Sequence, residues 1–213
     1  MLLISQNLAK YDMSFPEEAI FRVNLAWVNN IQELTDTLKK HENHPIFLDL
    51  PVGRLKPPNN KYTLEDLITI IKSYKQIKYF AISNVMSSND ISKYNKLLPK
   101  NIIIVPKIEN PSSIDNMKDI TKELRGTKKI VMLDHDDLYA SLVKINDSVK
   151  FQSYIEKLVG FCKNNNITLL RARGIIFSDW LYIFNWFYVR KIISNFYDQM
   201  TVNVKRANGI YLI

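Results

Sequence analysis

Near the middle of the chain the run PKIENP, residues 106–111, sets Lys107 and Glu109 two positions apart, directly after the apolar stretch NIIIV. Residues i and i+2 of a strand point to the same face, so an ammonium and a carboxylate would project together from that strand's end. A second concentration follows in LDHDDL, 133–138, which carries Asp134, His135, Asp136 and Asp137. Carboxylates that meet from neighbouring strands can hold a hard divalent cation, and a lysine beside them can offset charge developing on a substrate. The chemistry expected is a metal-assisted reaction on a small anion.

Such residues need a scaffold that brings strand ends together. Apolar runs that read as strands occur at 1–6, 19–27, 45–50, 78–83, 101–109, 129–134, 167–173 and 209–213, with amphipathic stretches such as 63–76 and 151–165 between them. Thr63 and Asp66 stand at the two positions of a capping box, which starts a helix there. Strand and helix alternating eight times over 213 residues predict an α/β fold, a single-domain (β/α)8 TIM barrel over 1–213. In that fold the loops after the strands form the site. The polar residues at the strand ends are Arg22, Asn24, Asp49, Ser83, Lys107, Glu109 and the cluster Asp134 to Asp137. Arg171 and Arg173 share a face of the seventh strand and could bind a phosphate or carboxylate if they point inward; if Ala172 points inward instead, they face the outer helices.

Composition narrows the class. Hydrophobic residues make up 46% and charged residues 23%, which excludes a disordered chain. The net charge of +8 is spread over nearly every segment instead of forming one stripe, so an anionic small molecule is the expected partner and nucleic acid is not. The single cysteine, Cys162, lies in a helical pattern and is expected to be buried; together with the lack of a leader pattern it points to a cytoplasmic protein. His41 and His44 read as parts of a polar connection. The aromatic stretch 177–197 has an uncharged run, 180–189, too short to cross a bilayer; as a helix without a polar face it is expected to be buried in a homo-oligomer.

Five segments in order, FRVNLAW (21–27), IFLDLPVGRLK (46–56), YFAISNV (79–85), VPKIENPSSIDNMKDI (105–120) and VMLDHDDL (131–138), resemble the catalytic barrel of pyruvate kinase and the wider phosphoenolpyruvate/pyruvate-binding superfamily, with its HpcH/HpaI aldolases and citrate lyase-type barrels. The resemblance spans about residues 1–175. It implies that Lys107 stabilises a transferring phosphoryl group and an enolate, that Glu109 and Asp137 hold Mg²⁺ or Mn²⁺, and that Arg22 contacts phosphate. Asp134 and Asp136 are the alternative ligands if the register of the sixth strand shifts. It also places Asn24 and Asp49 at a monovalent-cation (K⁺) site, Lys56 at a substrate-binding arginine position, and Ser83 and His135 on the substrate side.

The departures are physical. Sixteen residues, 51–66, stand where pyruvate kinase has a lid domain, and no C-terminal domain follows the barrel pattern. Lys56 lacks the arginine fork, HDDLY replaces a glycine-bearing loop, Ala172 stands in place of a threonine, and Ala26 and Leu50 remove hydroxyls from the K⁺ site. The expected activity is therefore metal-dependent chemistry on phosphoenolpyruvate, pyruvate or a related 2-keto acid through an enolate, by phosphoryl transfer or aldol-type cleavage, and not ordinary glycolytic pyruvate kinase. The alternative is a catalytically inactive barrel that serves as a binding or regulatory protein.

Overall fold

Short β-rich apolar runs separated by helix caps fold here into parallel strands joined by helices. A computed structural model describes residues 2–5, 19–52, 61–172 and 210–212. The strands are β1 (Leu2–Ser5), β2 (Ile20–Asn24), β3 (Ile46–Leu50), β4 (Ile77–Ile82), β5 (Ile103–Ile108), β6 (Ile130–Leu133), β7 (Thr168–Ala172) and β8 (Ile210–Leu212). All pairings are parallel and join neighbours in sequence from β1 to β7; the three-residue β8 registers with both β7 and β1, so the strand order is cyclic. Each expected strand has an observed counterpart, and β4 starts one residue before the expected run 78–83. The second stops at Asn24 because the Asn24 side chain accepts the Ala26 amide and turns Leu25–Trp27 into a 3-10 turn.

The helices are α1 (Ile31–Lys40), α2 (Leu64–Ser73), α3 (Ser88–Leu97), α4 (Pro111–Asp115), α5 (Met117–Lys122), α6 (His135–Lys144) and α7 (Phe151–Asn164). Their starts are written locally: Asn30 accepts the Glu33 amide at 2.8 Å, Thr63 and Asp66 form the expected capping box, and Asn110 caps α4 with Pro111 as its first residue. Proline costs nothing there, since the first helical N–H has no partner to lose, which explains why PKIENP stops as it does.

What is seen is an α/β fold with a curled, all-parallel sheet. The expected complete (β/α)8 repeat is not: two helices, α4 and α5, lie between β5 and β6, two more, α6 and α7, lie between β6 and β7, and the β1–β2 and β7–β8 connections lie outside the described residues. So do Lys56, Arg173 and the aromatic stretch 177–197. Among the described residues no helix is long and apolar enough to cross a membrane.

Period two sorts each strand. Leu3, Ile20, Phe47, Ala81, Val105, Ile130, Met132 and Leu170 fill the concave side of the sheet. Apolar residues of the opposite parity, among them Val23, Leu48, Phe80, Ile104, Val131 and Leu133, pack with Leu34, Leu67, Ile91, Leu138 and Leu158 of the helices. An irregularity where β3 meets β4 realigns Phe47 with Tyr79, so Ile77 faces the helices while Tyr79 packs inside. Cys162 is buried in the outer layer, and burial pushes its thiol up to about 12, so it is inert packing at neutral pH.

Charge is segregated along the strand direction. Exposed Lys40, Lys75, Lys78, Lys100, Lys128 and Lys163 lie where helices end and strands begin, and none of them joins an ion pair among the described residues. Lysine at a helix C-terminus complements the helix dipole. The carboxylates Asp49, Glu109 and Asp134 sit at or just beyond the opposite, C-terminal ends of their strands.

His41, at the end of α1, is buried with its ring stacked on Phe21 at 3.7 Å and 17°, and the His44 ring meets it edge-on at 5.9 Å. Burial, followed by the charges of His44 and Lys40, lowers its pKa from 6.5 to about 4. The unfolded chain thus binds a proton near pH 6.5 that the folded chain refuses until about pH 4, and stability falls as pH falls through that window. Urea unfolding at pH 7 and pH 4.5 should show a loss, up to about 3 kcal/mol, that His41→Phe removes while keeping the stack. Equal losses in both proteins would assign the acid sensitivity elsewhere.

Candidate functional site

The concave face changes character at one level. Two residues beyond five of the apolar inner residues stands a polar one: Arg22 after Ile20, Asp49 after Phe47, Ser83 after Ala81, Lys107 after Val105, Asp134 after Met132. The pleat therefore carries these side chains to the same end of the sheet, one layer above the inner core. Arg22, Asn24, Pro51, Lys107, Asp134, Asp136 and Asp137 line a cavity of about 180 Å³ there. That is smaller than the roughly 300–1,000 Å³ of drug-sized pockets. A more open depression of about 470 Å³ runs along α1, but its walls are the cap and outer face of that one helix and no buried group converges on it.

Lys107 is the centre. Only 4% exposed, it places its ammonium 2.7 Å from Glu109 Oε1 and 3.4 Å from Asp134 Oδ2, and it donates to Ser83 Oγ at 3.3 Å. Burial opposes its charge, but the carboxylates of Asp49, Glu109 and Asp134 outweigh that and hold its pKa above the usual lysine value. Burial also lifts the Glu109 carboxyl above its ordinary range, against the pull of Lys107 and of an amide N–H. That amide belongs to Asn84 and donates to Glu109 Oε2 at 2.7 Å. Asn84 reaches this position with φ of +54°, and its side-chain amide donates to the Val52 carbonyl at 2.6 Å. Asparagine tolerates the left-handed region better than other non-glycine residues, which suits it to this corner.

Asp49 is fully buried and takes both Nε and Nη2 of Arg22 on its Oδ2, the first at 3.1 Å. The guanidinium is thereby fixed at the cavity wall, and Asp49 is committed to it. The expected K⁺ role of Asn24 and Asp49 thus meets an Asp49 held by Arg22 and an Asn24 whose Oδ1 accepts the Ala26 amide.

Glu109, Asp134 and Asp137 each offer a carboxylate oxygen, all within 4.8 Å of one another. Opposite ligands of an octahedral Mg²⁺ stand about 4.2 Å apart, so a small contraction would let these oxygens share one ion. Charge agrees in sign: two cations, Arg22 and Lys107, stand with five carboxylates, Asp49, Glu109, Asp134, Asp136 and Asp137, so the excess carboxylates favour a bound cation. The acidic cluster could therefore hold a metal, with an all-oxygen donor set that suits Mg²⁺ or Mn²⁺. Asp134, one of the two alternative ligands named from the sequence, joins the expected pair Glu109 and Asp137 in this cluster. It also caps α6, where its Oδ1 accepts the Asp137 amide at 3.4 Å and so ties two members of the cluster together.

Other candidates go elsewhere. Leu170 lies in the inner layer, so Arg171 takes the opposite face and donates to His135 Nε2, at 3.1 Å from Nη2 and 3.4 Å from Nε. Arginine can only donate, which requires His135 Nε2 to be an acceptor. The His135 ring meets Phe151 edge-on at 6.5 Å. His135 and Arg171 are thus brought to each other on the helix side and are not among the residues that line the cavity. The outward arginine thus has an imidazole as a partner.

No family model matches the chain, and no curated protein matches it. Among solved structures it is similar to the crystal structure of RipC from Yersinia pestis, with a TM-score of 0.61 and 12% identity over 100% of this chain and 88% of that one. At that identity the likeness is one of fold. The resemblance to pyruvate kinase and the aldolase and citrate lyase-type barrels is corrected by these findings: no family match supports it, and a structural neighbour is RipC. A lysine and carboxylates in similar order follow from strands that end in polar, same-face residues, so motifs as short as K-x-E do not carry descent.

The two kinds of ion pair in the molecule should behave differently. Asp49→Ala leaves the Arg22 charge, largely buried, without its carboxylate and should cost about 3–5 kcal/mol in urea unfolding. Asp115→Ala breaks an exposed pair with Lys157 and should cost under about 1 kcal/mol. A loss below 1 kcal/mol for Asp49→Ala would show that the buried pair does not organise the cavity.

Proposed function

We propose that the chain is a divalent-metal-dependent enzyme acting on phosphoenolpyruvate, pyruvate or a related 2-oxo acid through an enolate, by phosphoryl transfer or aldol-type carbon–carbon chemistry. The observation that carries this reading is the buried Lys107 ammonium within ion-pair distance of Glu109 and Asp134, beside a carboxylate trio that can take one metal ion. Glu109, Asp134 and Asp137 would hold Mg²⁺ or Mn²⁺, which when bound supplies Lewis-acid polarisation of the 2-oxygen. Lys107, buried at the cavity wall, stands where it can offset negative charge on that oxygen. Arg22, fixed by Asp49, is placed to bind the carboxylate or phosphate of the substrate. The small cavity favours a substrate of a few heavy atoms. The same reading takes the chain as a homo-oligomer.

One observation favours a second reading, a barrel that binds without catalysing: Lys107 already satisfies two of the three acidic groups without any metal. Thermal unfolding separates the two. With Mg²⁺ or Mn²⁺ plus phosphoenolpyruvate, pyruvate or oxalate at about 100 times the dissociation constant, stability should rise by about 2.7 kcal/mol, a midpoint shift of a few degrees. Glu109→Gln should abolish the shift. No shift with any pair would leave the binding-only reading.

A further inference from the structure

The Lys107 ammonium stands within ion-pair distance of oxygens from two of the three groups that could hold a metal. Of Glu109, one oxygen is taken by the Asn84 amide at 2.7 Å, and the other, Oε1, is the atom that Lys107 holds at 2.7 Å. A metal shared with Asp134 and Asp137 would draw on Oε1, and so would meet the ammonium there. Two cations cannot share that oxygen and the 3.4 Å approach to Asp134 without strong repulsion. The lysine has somewhere to go, because Ser83 Oγ lies 3.3 Å away and Lys107 already lines the cavity.

We infer that Lys107 is an internal counter-cation that holds the metal locus in the metal-free protein and is displaced from Glu109 Oε1 when the metal binds. This deepens the function proposed above and rests on its metal site. The exchange has two effects. It keeps buried carboxylates from facing one another unneutralised before the metal arrives, and it turns the ammonium towards the cavity only when the metal is in place. Metal binding then regulates the orientation of the group that meets the substrate, with no domain movement required.

Calorimetric titration of Mn²⁺ into the wild-type chain and into Lys107→Met tests this. Removing the competing cation should tighten Mn²⁺ binding by about tenfold or more. The metal-free variant should melt lower than the wild type, and Mn²⁺ should raise its midpoint by more than it raises the wild type's. Equal or weaker binding in Lys107→Met, with the wild type binding normally, would overturn the exchange and leave the metal site standing. Binding in neither protein would overturn both. A measurement on the wild type covers a variant that fails to fold: the ¹⁵N resonance of the Lys107 ammonium, assigned by comparison with Lys107→Arg, should shift during Mg²⁺ titration and saturate with it. An unmoved resonance at saturating Mg²⁺ would overturn the exchange.

Discussion

A lysine ammonium buried at the end of β5 is the constraint on which the rest of this architecture depends. Taking such a charge out of water costs several kcal/mol unless opposite charges and hydrogen-bond acceptors surround it. Here the acceptors come from different strands: Asp49 contributes from β3 through its field, Ser83 from the end of β4, Glu109 from just beyond β5 itself, and Asp134 from the end of β6. No single segment could supply them. The parallel sheet must be curled and held in register for the four to converge, so the electrostatics of one atom and the topology of the sheet are a single requirement.

Register is what the apolar layers secure. Because inner and outer faces of the sheet are both buried, a slip of one residue in β5 would push Val105 and Lys107 among the helices and turn Ile104 and Ile108 to the inner face. The inner core beneath the cavity thus does more than fill volume. It fixes the height at which each strand changes from apolar to polar, and the site is the level at which those changes coincide.

Much of this was legible in the residues themselves. Each of the eight runs has strand-like composition and bounds, the Thr63–Asp66 pair marks its helix start, and Lys107 and Glu109 declare a shared face by spacing alone. These are local signals with periods of two or three residues. What was not legible depends on contacts across strands. The Arg22–Asp49 pair is 27 residues apart, and the pairing of His135 with Arg171 spans 36. Whether Arg171 points in or out depends on the parity of Leu170, which only the packed sheet decides. Asn84 was passed over although SNV after a strand carries a usable hint, since asparagine is among the few residues at ease with positive φ. The family resemblance failed for a related reason: its motifs are short patterns of strand-end polarity, and such patterns follow from the physics of a barrel rim without common descent.

Among the described residues six exposed lysines lie at one end of the sheet, while at the other the carboxylates outnumber Arg22 and Lys107. The local field of those carboxylates favours a cation over an anion, most strongly at low ionic strength. On the proposed function, an anionic substrate that followed a divalent cation would meet a rim with less negative charge than one that arrived first. The order of encounter, cation before anion, would then be set by long-range forces before any contact between side chain and ligand is made.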